Sequence, residues 1–354
     1  MQFRQKADNI YVVRPRHWGH RLNYFPPLEK AQSAALAEQL ASLAGKLGLR
    51  DPIFFHCNTG RLRHLCTEMK KRFFSVYLRL DYYDSDSDYF AQVSDATLAI
   101  PRSIFHKLKA KFGAKVKLMP QAVELGLFEV SSHDAGPARA KLAEIPRPRL
   151  GYLGPARDRL NTPLLLALLR EHPQWHMVSI GDPAVPLPNA HALPKVDPEG
   201  LAGYVREFDV GFLPYDCGNE QWLHCVPLKL FEYFALGLPV VSAPLINLGE
   251  YEDLIYFGDT PESMAPAIKA ALDEPADSPK RSKRMQVARE HSIESLGRVL
   301  RDALRLPVHA PSFGEESCEE GESCSLEQPR LVASSLAAPW RSQPRRAGPG
   351  STTC

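Results

Sequence analysis

Apolar and polar positions in the first third of the chain follow two alternating patterns. Short apolar runs of strand length alternate with longer stretches in which leucines recur at helical spacing, clearest over residues 28–47. The strand-like runs cover residues 10–13, 52–56, 75–80, 96–100 and 116–119. Because strand, helix and strand in this order form a crossover unit, the pattern predicts a parallel, doubly wound sheet over residues 1–130.

A second set of the same kind follows a break in composition. Residues 131–148 are rich in Ser, Ala and Pro and predict a linker. Beyond it, strand-like runs cover residues 149–153, 176–180, 210–213, 238–241 and 254–257, and helical patterns cover 163–171, 198–207, 261–273 and 282–305. A second α/β domain is therefore predicted over residues 149–305. Residues 306–354 lack apolar periodicity and predict a disordered tail.

The most informative segment is residues 227–242, which read Pro-Leu-Lys-Leu-Phe-Glu-Tyr-Phe-Ala-Leu-Gly-Leu-Pro-Val-Val-Ser. Pro227 suits the start of a helix, and Gly237 suits the residue just past its end. A short buried strand follows. The helix is apolar nearly all round, yet Lys229 and Glu232 lie one turn apart on one face.

Two interpretations of this charged pair are open. It can be an ion pair on a solvated stripe, or it can be the ligand-binding face of the helix. In the second case, Lys229 and the backbone N–H groups of the first turn bind an anion. An ionised Glu232 accepts hydrogen bonds from a vicinal diol such as ribose. Phosphate and ribose together indicate a nucleotide.

The segment also resembles the C-terminal signature of GT-B glycosyltransferases, in particular the family-4-like group that builds bacterial polysaccharides. That group carries Pro-x-Lys-x-x-Glu-Tyr-x-Ala-x-Gly-x-Pro-Val-Val before a strand, and residues 227–241 match it. The resemblance implies two Rossmann-like domains that face a cleft, and it places Glu232 on the donor ribose. It implies sugar transfer from a nucleotide-sugar to a hydroxyl of a glycan or lipid-linked acceptor, with retention of configuration, in polysaccharide or cell-envelope glycan synthesis.

Further segments extend the resemblance over roughly residues 75–275. Residues 148–161 are similar to the first strand and turn of the family's donor domain, where Gly154 allows close backbone approach and Arg157 or Arg159 reaches the diphosphate. Residues 209–215 resemble a strand whose end, at Tyr215, points into the cleft. Residues 120–128 resemble the turn between the domains, with Gln-Ala in place of the usual Asn-Gly.

Three residues are candidates for catalytic roles. His56 ends a buried strand and is placed to act as an acid, base or hydrogen-bonding group, or it is a structural histidine. Asp81 ends the next strand, in the acidic segment whose family counterpart contacts the acceptor. His224 stands eight positions before Glu232, where many family members have a second Glu that contacts the donor sugar.

Composition and charge indicate the class of protein and its expected location. The hydrophobic content of 44% and charged content of 24% fit a soluble globular protein, and no run of eighteen apolar residues occurs. Seven cysteines, an odd number without Cys-x-x-Cys spacing, indicate reduced thiols of a cytoplasmic protein. Residues 1–140 hold 21 Lys and Arg against 13 Asp and Glu. This basic half predicts either peripheral contact with an anionic inner membrane face or merely solvated lysines.

Other classes of ligand are not indicated. No basic stripe interleaved with aromatics suggests nucleic acid. No Asp-x-Asp pair lies at a suitable strand end, so no metal or other cofactor is predicted. The nucleotide-sugar is instead the donor substrate, and cationic side chains with a helix N-terminus stabilise its leaving diphosphate.

The N-terminal half is shorter than the family pattern. About 128 residues precede the predicted linker, and a full GT-B N-terminal domain needs on the order of 50 more. Residues 10–13 would then be an interior strand of a truncated sheet. Either the true start lies upstream or the protein is a shortened relative. Two alternatives to an active glycosyltransferase therefore stay open: a non-catalytic nucleotide-binding or scaffold protein, and a sugar-nucleotide epimerase, which shares the fold.

Overall fold

The structure is a computed structural model that describes residues 2–7, 10–14, 25–57, 63–80, 87–128, 136–154, 159–181 and 185–304. All of these residues belong to one compact unit, residues 1–308. The predicted tail over 306–354 lies outside the described residues. Among the helices that are described, none has the length and apolar content needed to cross a membrane.

The N-terminal part contains a parallel sheet of four strands flanked by helices. In chain order its elements are β1 (Gln2–Ala7), β2 (Ile10–Arg14), α1 (Pro26–Lys46), β3 (Ile53–His56), α2 (Arg63–Lys70), β4 (Phe74–Arg79), α3 (Ser87–Val93), β5 (Ala96–Ala99), α4 (Arg102–Phe112) and β6 (Val116–Leu118). The sheet has the order β3-β4-β5-β6, and its neighbouring strands are parallel. The crossover pattern predicted from the sequence is therefore present here.

The strand predicted at residues 10–13 is present as β2, but its predicted place in the parallel sheet was wrong. These residues do not start the parallel sheet. They pair with β1 as an antiparallel hairpin that forms a separate two-stranded sheet. Only two residues separate β1 from β2, which is too short for the crossover that parallel strands require.

The C-terminal part contains a parallel sheet of six strands with the order β12-β11-β10-β7-β8-β9. Its elements are α5 (Gly136–Leu142), β7 (Arg149–Gly154), α6 (Thr162–Glu171), β8 (His176–Gly181), β9 (Ala190–Leu193), α7 (Pro198–Val205), β10 (Val210–Leu213), α8 (Glu220–Leu223), α9 (Leu228–Ala235), β11 (Val240–Ser242), β12 (Ile255–Phe257), α10 (Pro261–Leu272), α11 (Pro279–Glu290) and α12 (Ile293–Leu304). Helix α5 lies in the stretch expected to be a linker. Its Leu142 is fully buried, and the Leu142 carbonyl accepts a hydrogen bond from the buried Arg149.

Helix α9 is fixed against the middle of the C-terminal sheet. Its Phe231, Tyr233 and Phe234 are fully buried. The Tyr233 hydroxyl donates a hydrogen bond of 3.0 Å to the carbonyl oxygen of Gly151 in β7. Gly237 follows the helix with a φ of 67°, the left-handed conformation that glycine adopts without strain. The first turn of α9 therefore has a defined position relative to the carboxyl end of β7.

Removing the Tyr233 hydroxyl is expected to destabilise the protein modestly. In Tyr233→Phe the ring still fills its site, but the buried Gly151 carbonyl loses its hydrogen-bond donor. We expect the free energy of unfolding to fall by about 1 kcal/mol. Urea denaturation of this variant checks the value, with Tyr204→Phe, at another buried tyrosine, as the comparison. An unchanged urea midpoint would contradict the prediction.

The last two helices differ from the sequence prediction. One helix was expected over residues 282–305, but α11 ends at Glu290 and α12 begins at Ile293. Between them, the His291 carbonyl accepts a hydrogen bond from the Val123 N–H, and the Ile293 N–H donates one to the Val123 carbonyl. This pairing with a distant residue interrupts the helix. Helix α12 then packs Leu300, Ala303 and Leu304 against the N-terminal sheet.

Candidate functional site

The first turn of α9 lies beside the carboxyl end of β7. Pro227 is the residue before the helix, and Lys229 is its second residue. β7 ends at Gly154. A Cβ placed on Gly154 would lie 3.8 Å from the Nζ atom of Lys229. Ligands bind at the carboxyl ends of strands in parallel sheets of this type, so Lys229 points to the expected ligand edge.

Lys229 is a buried amine without a hydrogen-bond partner. The residue is 8% exposed, and its Nζ makes no hydrogen bond among the described residues. Nζ lies 3.8 Å from the ring centroid of Tyr152 and 5.6 Å from that of Tyr215. Burial, followed by the nearby charge of Arg159, lowers the pKa of Lys229 to about 7. The alternative of a solvated Lys–Glu pair is therefore wrong for this lysine.

Two glycines provide an open backbone surface next to Lys229. Gly154 and Gly181 are aligned at the ends of the neighbouring strands β7 and β8. Their φ angles are 93° and 124°, in the region that favours glycine. A Cβ at Gly181 would lie 3.1 Å from the Gly154 carbonyl oxygen, closer than ordinary contact. Two side chains would crowd this edge, whereas two glycines leave the backbone accessible to a ligand.

Aromatic and cationic residues form one wall of the site. Tyr215 is 2% exposed, and it hydrogen-bonds to Tyr152. Arg159 is half-buried, and its guanidinium carbon lies 5.0 Å from the ring centroid of Trp222. The charge of Arg159 acts on Lys229. Arg159 therefore supplies a second positive charge next to Lys229, which is itself positively charged when protonated.

Glu232 lies one turn further along α9. It is partly buried, and burial raises its pKa to about 7 although Lys229 opposes the shift. No ion pair within 4 Å joins Glu232 to Lys229 in the described structure. The amine and the carboxyl group are therefore free to contact two different groups of one ligand. The amine, the helix N-terminus and Arg159 favour an anion, and the carboxylate favours a hydroxyl donor.

His224 belongs to a network that joins the two parts of the unit. Its Nδ1 is hydrogen-bonded to Ser103 Oγ at 3.1 Å, and its carbonyl accepts a bond from Asn247 Nδ2 at 2.8 Å. Asn247 Oδ1 also accepts a bond from the Ser103 N–H at 2.9 Å. Ser103 is in the first turn of α4, which follows the carboxyl end of β5. The carboxyl edge of the N-terminal sheet therefore meets the loop before α9.

His56 lies apart from this site, inside the N-terminal core. It is 9% exposed, with Nε2 3.2 Å from Ser94 Oγ and Nδ1 3.5 Å from Cys66 Sγ. It stacks on Phe54, which is on the same face of β3 because side chains alternate along a strand. Burial lowers the pKa of His56 to about 4, so the ring is neutral at pH 7. These contacts are those of a structural histidine.

The other predicted residues divide into two groups. Gly154, Arg159, Tyr215, Lys229 and Glu232 are brought together around the first turns of α9. Asp81 and Arg157 lie outside the described residues, so their roles stay predictions. The absence of a metal also stays a prediction, although no three His, Cys, Asp or Glu side chains of the described part could jointly hold a metal ion.

Sequence reasoning missed Tyr152, Gly181 and Asn247. Tyr152 precedes Gly154 by two residues in a buried strand, so it could have been placed on the same edge. Gly181 ends the next strand along the chain. A glycine at the end of a predicted strand could have indicated that it belongs to the same ligand edge. Asn247 had no such signal, because its contacts with Ser103 and His224 join residues far apart in the chain.

A separate cavity of ≈ 500 Å³ opens at the opposite edge of the C-terminal sheet. It is lined by residues that precede the strands β7, β10 and β11: Pro148, Asp209 and Pro239. Lys229 and Glu232 are not among its lining residues. Parallel sheets rarely bind substrates at this amino edge, so the cavity is not the candidate site.

This chain resembles known proteins in sequence and in fold. No protein-family model matches the chain. The chain is 24% identical over 286 residues to TuaH of Bacillus subtilis, a match that covers 73% of this chain and 68% of that protein. The name of TuaH assigns it provisionally to teichuronic acid biosynthesis as a glycosyltransferase.

Solved structures resemble the chain in fold. The sucrose-phosphate synthase of Thermosynechococcus elongatus has a TM-score of 0.63 at 16% identity, with 86% of this chain and 84% of that chain covered. Anabaena HepE in complex with UDP-glucose has a TM-score of 0.59 at 13% identity, with 76% and 82% covered. A UDP-forming trehalose-phosphate synthase of Burkholderia xenovorans has 0.56 at 13% identity, with 80% of each chain covered. The predicted GT-B fold is therefore confirmed.

Proposed function

We propose, from the premise that this chain is a glycosyltransferase of the GT-B fold, that it transfers a sugar from a nucleoside diphosphate sugar to a hydroxyl group of a growing glycan or a lipid-linked acceptor. The observation that carries the proposal is the buried, unpartnered amine of Lys229 next to Gly154. The relative named for teichuronic acid biosynthesis supports a polymer of the cell envelope as the product. HepE was solved with UDP-glucose, so UDP-sugars are the first donors to test.

The residues of the site have separate roles in the proposed reaction. Lys229 and the N-terminus of α9 bind the diphosphate, with Arg159 as a second cation. As the bond between sugar and phosphate breaks, negative charge grows on the leaving diphosphate, and these groups stabilise it. Glu232 accepts hydrogen bonds from the ribose hydroxyls and fixes the nucleoside. This mechanism needs no metal. Retention of the anomeric configuration of the sugar stays a prediction.

Calorimetric titration tests the donor assignment. UDP-, GDP- and ADP-sugars are titrated into the wild type and into Glu232→Ala. We expect one nucleotide series to bind the wild type, and the variant to bind it at least tenfold more weakly. Equal binding by both proteins would remove Glu232 from the ribose. Turnover of a nucleotide-sugar with a radiolabelled sugar then distinguishes an enzyme from a scaffold that only binds nucleotide.

The affinity for UDP-glucose is expected to be highest near pH 7. Binding needs a charged Lys229 and an ionised Glu232, and the pKa of each is about 7 in the free protein. Above this pH, Lys229 must take up a proton to bind, and below it Glu232 must release one. The affinity should therefore fall by up to about tenfold per pH unit on either side. Calorimetry between pH 5.5 and 8.5 measures the profile.

A variant separates the two sides of this profile. In Glu232→Gln the acidic side should disappear while the alkaline side stays, because only Lys229 still titrates. Glu252→Gln, at an exposed glutamate outside α9, is the matched control and should keep both sides. A flat profile in the wild type would contradict the assignment of these two groups.

Contact with a membrane is a separate part of the proposal. Helix α4 and the residues that follow it carry exposed lysines at positions 107, 109, 111 and 117. Such a cluster favours an anionic lipid surface, where a lipid-linked acceptor would lie. Flotation with vesicles of phosphatidylglycerol tests this, and binding that persists at high salt would contradict an electrostatic origin.

A further inference from the structure

A buried carboxylate and a histidine form a pair between helices α1 and α2. Glu29, in the first turn of α1, is 5% exposed. Its Oε1 accepts hydrogen bonds from Ser33 Oγ at 2.8 Å and from the His64 N–H at 3.0 Å. Its Oε2 contacts the ring Nδ1 of His64. The backbone and the ring of His64 are therefore both held by one carboxylate.

The pair lies at the ligand edge of the N-terminal sheet. Helix α2 begins shortly after the carboxyl end of β3, and His64 is in its first turn. Helix α1 runs antiparallel to the strands, so Glu29 in its first turn is at the same edge. Ser103, in the first turn of α4, also lies at this edge and contacts His224 and Asn247 of the C-terminal part. This edge consequently faces the part that carries the donor site.

The contact with Glu29 selects the tautomer of the His64 ring. A carboxylate only accepts hydrogen bonds, so Nδ1 of His64 carries a proton and, in the neutral ring, Nε2 carries the lone pair. Nε2 makes no hydrogen bond among the described residues, and the side chain of His64 is 36% exposed. A helix cap alone would need only the contact between Glu29 and the backbone N–H. The second contact orients the ring as well.

We propose that His64, positioned by Glu29, accepts a hydrogen bond from the acceptor hydroxyl that receives the sugar. This inference rests on the proposed function and deepens it, because it assigns the acceptor side of the reaction to named residues. Glu29 is a positioning residue that acts through His64. His64 itself touches the acceptor. Arg63, whose guanidinium carbon lies 3.9 Å from the ring centroid of Tyr89, adds positive charge beside this position.

The test compares transfer with donor binding in three variants. The variants are His64→Ala, Glu29→Gln and, as the matched control, His106→Ala at an exposed histidine of α4. UDP-glucose is the donor, and n-octyl β-D-glucopyranoside or water is the acceptor. We expect His64→Ala to lower kcat/KM for the glucoside, and the rate of transfer to water, about tenfold. Glu29→Gln should lower both severalfold. The Kd for UDP-glucose should change less than twofold in all three, which also reports that each variant is folded.

The outcomes separate this inference from the proposed function. Turnover by His64→Ala equal to that of the wild type, with both acceptors, would overturn the role of His64. Equal losses in turnover and in UDP-glucose binding would also overturn it, because His64 would then act through the fold. A wild type that binds UDP-glucose but transfers glucose to neither acceptor would contradict the enzymatic function, and this inference with it. Loss of turnover in His106→Ala with full turnover in His64→Ala would likewise overturn the role of His64.

Discussion

Replacing Lys229 by methionine is expected to weaken the binding of UDP-glucose about 100-fold and, at the same time, to stabilise the free protein. Methionine fills a similar volume but cannot carry the charge that the diphosphate requires. A charge-assisted contact of this kind contributes up to about 3 kcal/mol, which corresponds to a factor of roughly 100 in Kd. Calorimetric titration at pH 7 measures the loss.

The gain in stability follows from the depressed pKa of Lys229. Burial lowers this pKa from 10.5 to about 7, so folding disfavours the charged amine. The cost to the wild type is complete below pH 7, shrinks as the pH rises from 7 towards 10.5, and disappears above that. We expect Lys229→Met to raise the free energy of unfolding by on the order of 1 to 4 kcal/mol at neutral pH.

Urea denaturation at pH 7 and pH 10 checks this second part. The difference between Lys229→Met and the wild type should shrink at the higher pH. Lys269→Met, at an exposed lysine of α10, is the matched control and should change neither binding nor stability. A variant that loses both binding and stability would mean that Lys229 supports the fold instead of a ligand.

Replacing Arg284 by methionine is expected to destabilise the protein by about 3 to 5 kcal/mol. Arg284 is fully buried, and its guanidinium donates to Glu274 Oε1 at 2.8 Å, to the Leu254 carbonyl at 3.0 Å and to the Gly237 carbonyl at 3.2 Å. The last two bonds attach α11 to the end of α9 and to the residue before β12. Without the guanidinium, the largely buried Glu274 carboxylate loses its cationic partner, and two carbonyls each lose a hydrogen-bond donor.

The pH dependence of this loss identifies its cause. Burial acts to raise the pKa of Glu274, but hydrogen bonds from Arg284 and Tyr256 hold it below its ordinary value. A depressed carboxyl pKa stabilises the fold at neutral pH, and this contribution is lost as the pH falls through the folded-state pKa. The difference between the wild type and Arg284→Met should therefore be smaller at acidic pH.

Thermal and urea unfolding measure the effect of Arg284→Met. Lys283→Met, at the preceding exposed position of α11, is the matched control and should stay within about 0.5 kcal/mol of the wild type. The double variant Arg284→Met with Glu274→Gln should recover part of the loss, since no buried charge is then left alone. A loss of less than 1 kcal/mol in Arg284→Met would contradict this account of the buried pair.

The helix that carries Lys229 and Glu232 could be predicted closely from the sequence. Local signals agree there: Pro227 before the helix, Gly237 after it and an apolar strand beyond. The crossover rhythm likewise predicted both parallel sheets, because each strand lies next to a helix that repeats at a different period. The resemblance to GT-B glycosyltransferases then supplied the arrangement of the two sheets, which no local pattern contains.

Features that depend on distant contacts could not be predicted. The break between α11 and α12 contains neither proline nor glycine, and it arises from pairing of residues 291–293 with Val123. His56 was placed at the cleft because it ends a strand, but its neighbours Cys66 and Ser94 enclose it in the core. The depressed pKa of Lys229 likewise could not be predicted from the sequence, because burial of an amine depends on the surrounding tertiary structure.

We propose above that Lys229 and Glu232 bind the diphosphate and the ribose of one nucleotide. A crystal structure of the protein with UDP would show both contacts at once. We expect Lys229 Nζ to lie within about 3.2 Å of a phosphate oxygen, and a carboxylate oxygen of Glu232 within the same distance of a ribose hydroxyl. UDP bound elsewhere, for example in the cavity at the amino edge of the C-terminal sheet, with Lys229 still unpartnered, would contradict it.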